Sequence, residues 1–158
     1  MKHETINSIT LPKIGFGAWR IGGNSSPDHA LDSKSLTALR SALEVGYAHF
    51  DTAEKYADGH SEELVGEAVR VSAKKREELF ITTKVTPSHL KYDDVLKACE
   101  NSLRRLKMDY IDLYLIHWPS PANDRYVEAW HSLIELRAAG LTTSIGVANF
   151  LVPHVERL

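Results

Sequence analysis

Cysteine is nearly absent from this 158-residue chain: Cys99 stands alone. One thiol cannot close an internal disulfide, which points to a reducing compartment. Long apolar runs are missing too. The longest, such as Leu113–Ile116, fall far short of the roughly 20 residues that a membrane span needs. Neither sign of charge dominates, since Lys and Arg total 19 against 21 Asp and Glu. The pI near 6.4 leaves no basic footprint for nucleic acid. Residues 1–10 are polar and lack the apolar core of a secretory leader. What is present is ordinary for a folded domain: 43% hydrophobic and 25% charged residues exclude disorder and collagen-like repeats. The expectation is a soluble, cytoplasmic chain forming one domain or part of a larger one, at about 150 residues per domain.

Apolar runs of strand length alternate with segments of helical period. Leu11–Trp19 reads as a strand, and Ile6–Thr10 as its partner in a short hairpin. A polar loop over 20–32 follows. Leu36, Leu39 and Leu43 recur at helical spacing before Gly46. Tyr47–Asp51 is the second strand. Ser61 is the expected N-cap of the next helix, with Glu62 and Glu63 complementing its dipole. Leu79–Thr83 is the third strand, and Val95, Cys99, Leu103 and Leu106 form one helical stripe. Ile111–Ile116 is nearly continuous in apolar residues, as buried parallel strands are. Tyr126, Trp130, Leu133, Ile134 and Arg137 mark a helix closed by Gly140, Leu141–Val147 is the fifth strand, and a further helix begins after Phe150. Five strands and four full helices in strict alternation predict an α/β fold with a parallel sheet. Both a doubly wound sheet and a (β/α)8 barrel fit this order. The dinucleotide fingerprint fails, because Gly15-Phe16-Gly17-Ala18-Trp19-Arg20 puts Arg20 where the third glycine belongs.

Ligands in parallel βα folds bind beyond the carboxyl ends of the strands. Asp51 closes the second strand, with Tyr56 in the loop behind it. Lys84 closes the third strand, His117 the fourth, and Asn149 follows the fifth. Singly, these are ordinary turn, surface or packing residues. Together they place an acid–base set on one rim. His49 reads as a satisfied interior group. His60, His89, His131 and His154 have no carboxylate or cysteine spacing of a zinc site, so no metal is expected. Cys99 reads as core. Lys74, Lys75 and Arg76 with Glu77 and Glu78 read as a mixed-charge surface loop.

Five stretches in chain order resemble the aldo-keto reductases. They are Gly15-Phe16-Gly17-Ala18-Trp19, Asp51-Thr52-Ala53-Glu54-Lys55-Tyr56, Thr82-Thr83-Lys84, Asp112 through Leu-Ile-His-Trp-Pro119, and Ile145-Gly146-Val147-Ala148-Asn149-Phe150. The resemblance implies a (β/α)8 barrel and reversible reduction of an aldehyde or ketone with NADPH, NADH being the alternative. It implies a catalytic tetrad of Asp51, Tyr56, Lys84 and His117. Tyr56 would be the general acid, Lys84 would stabilise its phenolate, Asp51 would orient Lys84, and His117 would aim the carbonyl at the hydride. By the same resemblance Gly17, Ala18, Trp19, Arg20, Asp51 and Asn149 touch the cofactor, and Trp19, Tyr56, His117 and Trp118 line the substrate site. Ala148 stands where the family usually has a serine, which removes one hydroxyl from the carboxamide's surroundings.

A complete barrel takes about 250 residues. The expectation is therefore that 1–158 forms the amino-terminal part of a single barrel domain, a partial barrel of five strands that is inactive alone. Such a sheet has open edges through which it would self-associate. Its partners are expected to be small carbonyl or alcohol substrates, with no nucleic acid and no membrane. The alternative is a non-catalytic fragment, or a regulatory or binding subunit on the reductase fold, as potassium-channel β subunits exemplify.

Overall fold

The computed structural model describes residues 2–6, 9–120 and 124–158. Strands β1 (His3–Ile6) and β2 (Ile9–Pro12) form an antiparallel hairpin, His3 opposite Pro12 and Ile6 opposite Ile9. The expected hairpin exists, but it uses these residues instead of folding 6–10 back on 11–19; residues 7–8 lie outside the described residues. Nor is Leu11–Trp19 one strand. β2 ends at Pro12, with the Lys13 amide still donating to Lys2 O at 2.9 Å, and the chain re-enters β structure only at β3 (Phe16–Gly17), in a different sheet.

That second sheet is parallel, in the order β3, β4 (His49–Asp51), β5 (Phe80–Val85), β6 (Ile111–Ile116) and β7 (Thr142–Val147). Spatial order follows chain order, as in consecutive units of a barrel. Helices α1 (Asp32–Glu44), α2 (His60–Arg70), α3 (Tyr92–Leu106) and α4 (Tyr126–Ala138) cover one face, and α5 (Val152–Val155) follows β7. This is a partial (β/α)8 barrel. No helix among the described residues is long and apolar enough to cross a membrane.

Period-2 alternation divides each strand between two faces. Phe50, Ile81, Tyr114 and Ile116 are buried beneath the helices, against Leu64, Val65, Cys99, Leu106 and Leu133. Cys99 is core, as expected, and burial pushes its thiol up to about 12. Leu113, Leu115, Ile145 and Val147 are only partly buried, on the sheet's unhelical side or its last strand. The stripe of α4 differs slightly from expectation: Tyr126, Ala129, Leu133 and Leu136 are buried while Ile134 is exposed. Gly66 lets α2 approach α3, since a Cβ there would lie 2.3 Å from the Leu106 carbonyl oxygen.

Two polar expectations change. Arg76 does not belong to a solvated loop: it turns inward to Asp112 at 2.6 Å and to the carbonyls of Leu79 and Tyr110. Ser61 is not the cap of α2, because Gly59, at φ 89°, precedes a helix that begins at His60. Glu62 stands in the first turn of α2, as expected, and turns into the core. It is 0% exposed, accepts from Thr83 Oγ1 at 2.6 Å and pairs with Arg105 Nε at 2.6 Å. Burial pushes its carboxyl up against the opposing pull of Arg105 and these hydrogen bonds. The pair is lopsided, since Arg105 retains some exposure and can be solvated while Glu62 cannot. Arg105→Ala should therefore destabilise by about 3 kcal/mol, the cost of stranding a buried charge. Glu62→Gln keeps the acceptor for Thr83 and should cost clearly less. Denaturant midpoints for the two variants check this order.

Candidate active site

Register brings the expected residues together. Gly17 pairs with Asp51, Asp51 with Thr82, and Lys84 with Leu115, so the strand ends step along one rim. The His117 amide donates to Val85 O at 3.1 Å and the Ala148 amide to Ile116 O at 2.8 Å, which carries the step to the end of β7.

Lys84 lies one residue inside β5 instead of ending it, because the strand runs on to Val85. Its side chain is 7% exposed. The ammonium pairs with Asp51 Oδ1 and donates to Thr52 O at 2.8 Å. It also stands 5.2 Å from the centroid of the Tyr56 ring. Tyr56 and His117 meet edge to face at 5.7 Å, and His117 stacks on Trp118 at 3.6 Å. Asp51, Tyr56, Lys84, His117 and Trp118 thus form one cluster. His49, which shares the inner side of β4 with Asp51, is satisfied by Thr82 Oγ1 at 2.9 Å, and burial holds its pKa below the usual histidine value.

The remaining expected residues are placed by backbone bonds. Ala18 is fully buried, its amide on Asp51 O at 2.8 Å. Trp19 beyond it is 61% exposed, with the Arg20 guanidinium 4.7 Å from its ring centroid. Neither ring nor guanidinium enters the core. Asn149, at φ 62°, donates from Nδ2 to His117 O at 2.8 Å, so it braces the histidine's backbone.

Several residues that sequence reasoning passed over hold this cluster. The Thr52 amide is bonded to Thr82 O, and its hydroxyl lies 3.1 Å from Ser61 Oγ, which donates to Ala18 O. Ser61 therefore ties α2 to two rim segments. Glu54, almost fully buried, accepts from the Thr86 amide at 2.6 Å and fixes the loop after β5. Tyr56 opens a turn in which Ala57, Asp58 and Gly59 all have positive φ, the kind of strain found at functional sites. Lys55 lies 5.4 Å from the Trp118 ring centroid. Thr52, Glu54 and Lys55 lie inside the Asp51–Tyr56 motif, and that adjacency was their only signal, whereas Ser61 reads in the sequence as a helix cap.

Burial, then the charges of Lys84 and Lys55, pushes the His117 imidazole down from 6.5 to about 3. Its Nδ1 is buried without a partner among the described residues. The unfolded chain takes a proton near pH 6.5 that the folded site refuses until about 3, so this residue lowers stability progressively as pH falls through that window. An NMR titration should show His117 neutral from pH 8 down past 5, with its pKa rising in Lys84→Met. Protonation near the ordinary value of 6.5 would contradict this environment.

Residues 13–158 match the aldo/keto reductase family. The methylglyoxal reductase DkgA of Escherichia coli is 46% identical over 148 residues, which are 94% of this chain and 49% of that protein. A thermostable aldo-keto reductase solved with the inhibitor epalrestat superposes with a TM-score of 0.93 at 42% identity, covering 99% of this chain and 57% of the other. A Bombyx mori aldo-keto reductase solved with NADP gives 0.82 at 34% identity, covering 99% and 53%. The chain spans about half the length of the curated relatives it matches. It belongs to the aldo/keto reductase family.

Proposed function

We propose that this chain carries the catalytic half of a carbonyl reductase, and that residues 1–158 are the amino-terminal part of one barrel domain. The observation that carries the reading is the buried Lys84 ammonium, held by Asp51 and placed against Tyr56, with a neutral His117 edge to face with the same ring. A nicotinamide cofactor, when bound, supplies the hydride. The rim fits such a group: nothing lies within 4 Å of where a Cβ of Gly17 would sit, and Asp51 is its strand neighbour. Gly17, Ala18, Trp19, Arg20, Asp51 and Asn149 would hold it, the assignment being NADPH, as the Bombyx mori relative was solved with NADP.

Tyr56 protonates the carbonyl oxygen as negative charge develops there. Lys84 stabilises the charge left on the phenol oxygen, and Asp51 together with Thr52 O fixes the ammonium in place. His117, being neutral, donates a hydrogen bond to the carbonyl without competing for the proton. Trp118, stacked on His117, and Trp19 wall the substrate side. Methylglyoxal is the first substrate to try, given the activity named for the Escherichia coli relative. In a complete barrel carrying these residues, Tyr56→Phe should lower turnover about 10²–10⁴-fold, the range for a lost general acid. Cofactor affinity should be retained. Near-unchanged kcat would remove Tyr56 from this role.

The 158-residue polypeptide alone is a different case. β3 and β7 sit at the sheet's two edges, and Leu113, Leu115, Ile145 and Val147 lack full cover. Each such side chain left wet forfeits about 1.5–3 kcal/mol, against a total stability of about 5–15 kcal/mol. The polypeptide should self-associate through these edges and show no turnover. Light scattering and an NADPH oxidation assay check both; a cooperatively melting monomer that oxidises NADPH would overturn this expectation.

A further inference from the structure

On the outer side of the barrel, the starts of α1 and α2 bring together side chains that the reduction chemistry does not use. His29 lies in the short 3₁₀ turn His29–Leu31, Asp32 is the first residue of α1, and His60 is the first of α2. One ligand atom from each falls within 4.8 Å of the other two. Asp32 bridges the pair: Oδ1 is 2.8 Å from His60 Nε2, and Oδ2 is 3.2 Å from His29 Nδ1. The two imidazole rings meet edge to face at 4.7 Å.

We propose that His29, Asp32 and His60 form a binding site for a divalent transition-metal ion, with Zn²⁺ as its natural class, and that Glu63 orients His60 for it. The donor set is the first reason. Two imidazoles and one carboxylate suit zinc and its neighbours in the first transition row, with a position left open for water.

Geometry is the second reason. Zinc bonds of about 2.0–2.2 Å place neighbouring ligand atoms roughly 3.4 Å apart. The two contacts to Asp32, at 2.8 and 3.2 Å, fall a few tenths of an ångström short of that spacing, and His29, whose side chain is 75% exposed, is free to turn and open it. The ion would take the place of the proton between His60 and Asp32, so binding releases a proton.

The third reason is the far nitrogen of His60. Its Nδ1 lies 2.7 Å from Glu63 Oε2. A carboxylate on the second ring nitrogen fixes the tautomer that leaves Nε2 as the ligand, an arrangement metal-bound histidines regularly have. His60 is also rigidly seated, since it is buried and Gly22 packs on it; a Cβ at Gly22 would lie 2.7 Å from its ring. Arg104, Arg105 and Lys107 line the same groove, but Arg105 is neutralised by Glu62. Asp32 and Glu63 supply two negative charges directly against the cluster.

A bound ion would staple the start of α1 to the start of α2 across the segment that begins at Trp19 and Arg20. That segment is already anchored to the tyrosine turn by the Ala57 amide on Asn24 O at 3.0 Å. The site does not depend on the reductase reading, and its test does not use turnover.

The experiment titrates the untagged, chelator-treated 158-residue protein with Zn²⁺ in a calorimeter and with Co²⁺ by visible absorption. One equivalent should bind, with a Co²⁺ spectrum free of thiolate charge transfer, and Zn²⁺ should raise the melting temperature. His29→Ala should abolish this binding while leaving the metal-free melting temperature unchanged, because that side chain is exposed. Glu63→Gln should weaken it about 10–100-fold, the cost of losing a carboxylate behind a ligating histidine. A wild-type protein that binds neither ion, or equal binding by wild type, His29→Ala and Asp32→Asn, would overturn the proposal.

Discussion

Everything at the rim depends on one buried ammonium. Removing Lys84 from water costs several kcal/mol unless the charge finds partners, and it finds two, Asp51 Oδ1 and Thr52 O. Both come from the end of β4, so the pairing fixes how β4 and β5 present their ends to each other. Thr52 can offer its carbonyl because its amide is bonded to Thr82 O and its hydroxyl sits against Ser61. Ser61 reaches Ala18, and Ala18 reaches back to Asp51. The bonds close a ring around the charge, which is why a lysine in this strand can be both buried and precisely aimed.

The same cation faces two neighbours. Its ammonium stands 5.2 Å from the centroid of the Tyr56 ring. For His117, with burial and Lys55, it makes a second positive charge unfavourable and holds the imidazole neutral.

Legibility in the sequence tracked distance along the chain. The strands β4 to β7 and the four long helices were readable because period and breaker residues act locally. The clustering of Asp51, Tyr56, Lys84 and His117 was readable because they sit at or just beyond strand ends inside compact motifs, and the comparisons place the chain in the family those motifs suggested. The Leu11–Trp19 segment was misread since an apolar pattern does not record that a chain leaves one sheet for another at Pro12. Ser61 and Glu62 looked like helix-start residues on local grounds; their true partners are Ala18, Thr83 and Arg105, 43, 21 and 43 residues away. His60 was discounted for want of nearby ligands, yet Asp32 lies 28 residues upstream and is brought to it only when α1 packs beside α2.

Helix α2 shows how the fold separates these tasks. Its first turn faces three ways. His60 and Glu63 point to the outer joint with α1, Ser61 to the rim, and Glu62 into the core against β5 and α3. A helix start leaves several backbone donors unpaired and favours acidic side chains nearby, so a cluster of polar residues there is inexpensive locally. Three of them are spent on tertiary contacts instead of on capping, and Gly59 with its left-handed backbone makes the turn that allows it. The consequence is mechanical. A shift of this one turn would disturb Ala18, Thr83 and Asp32 together, so the rim's geometry is tied to the packing of α2 as firmly as to the strands that carry Asp51 and Lys84.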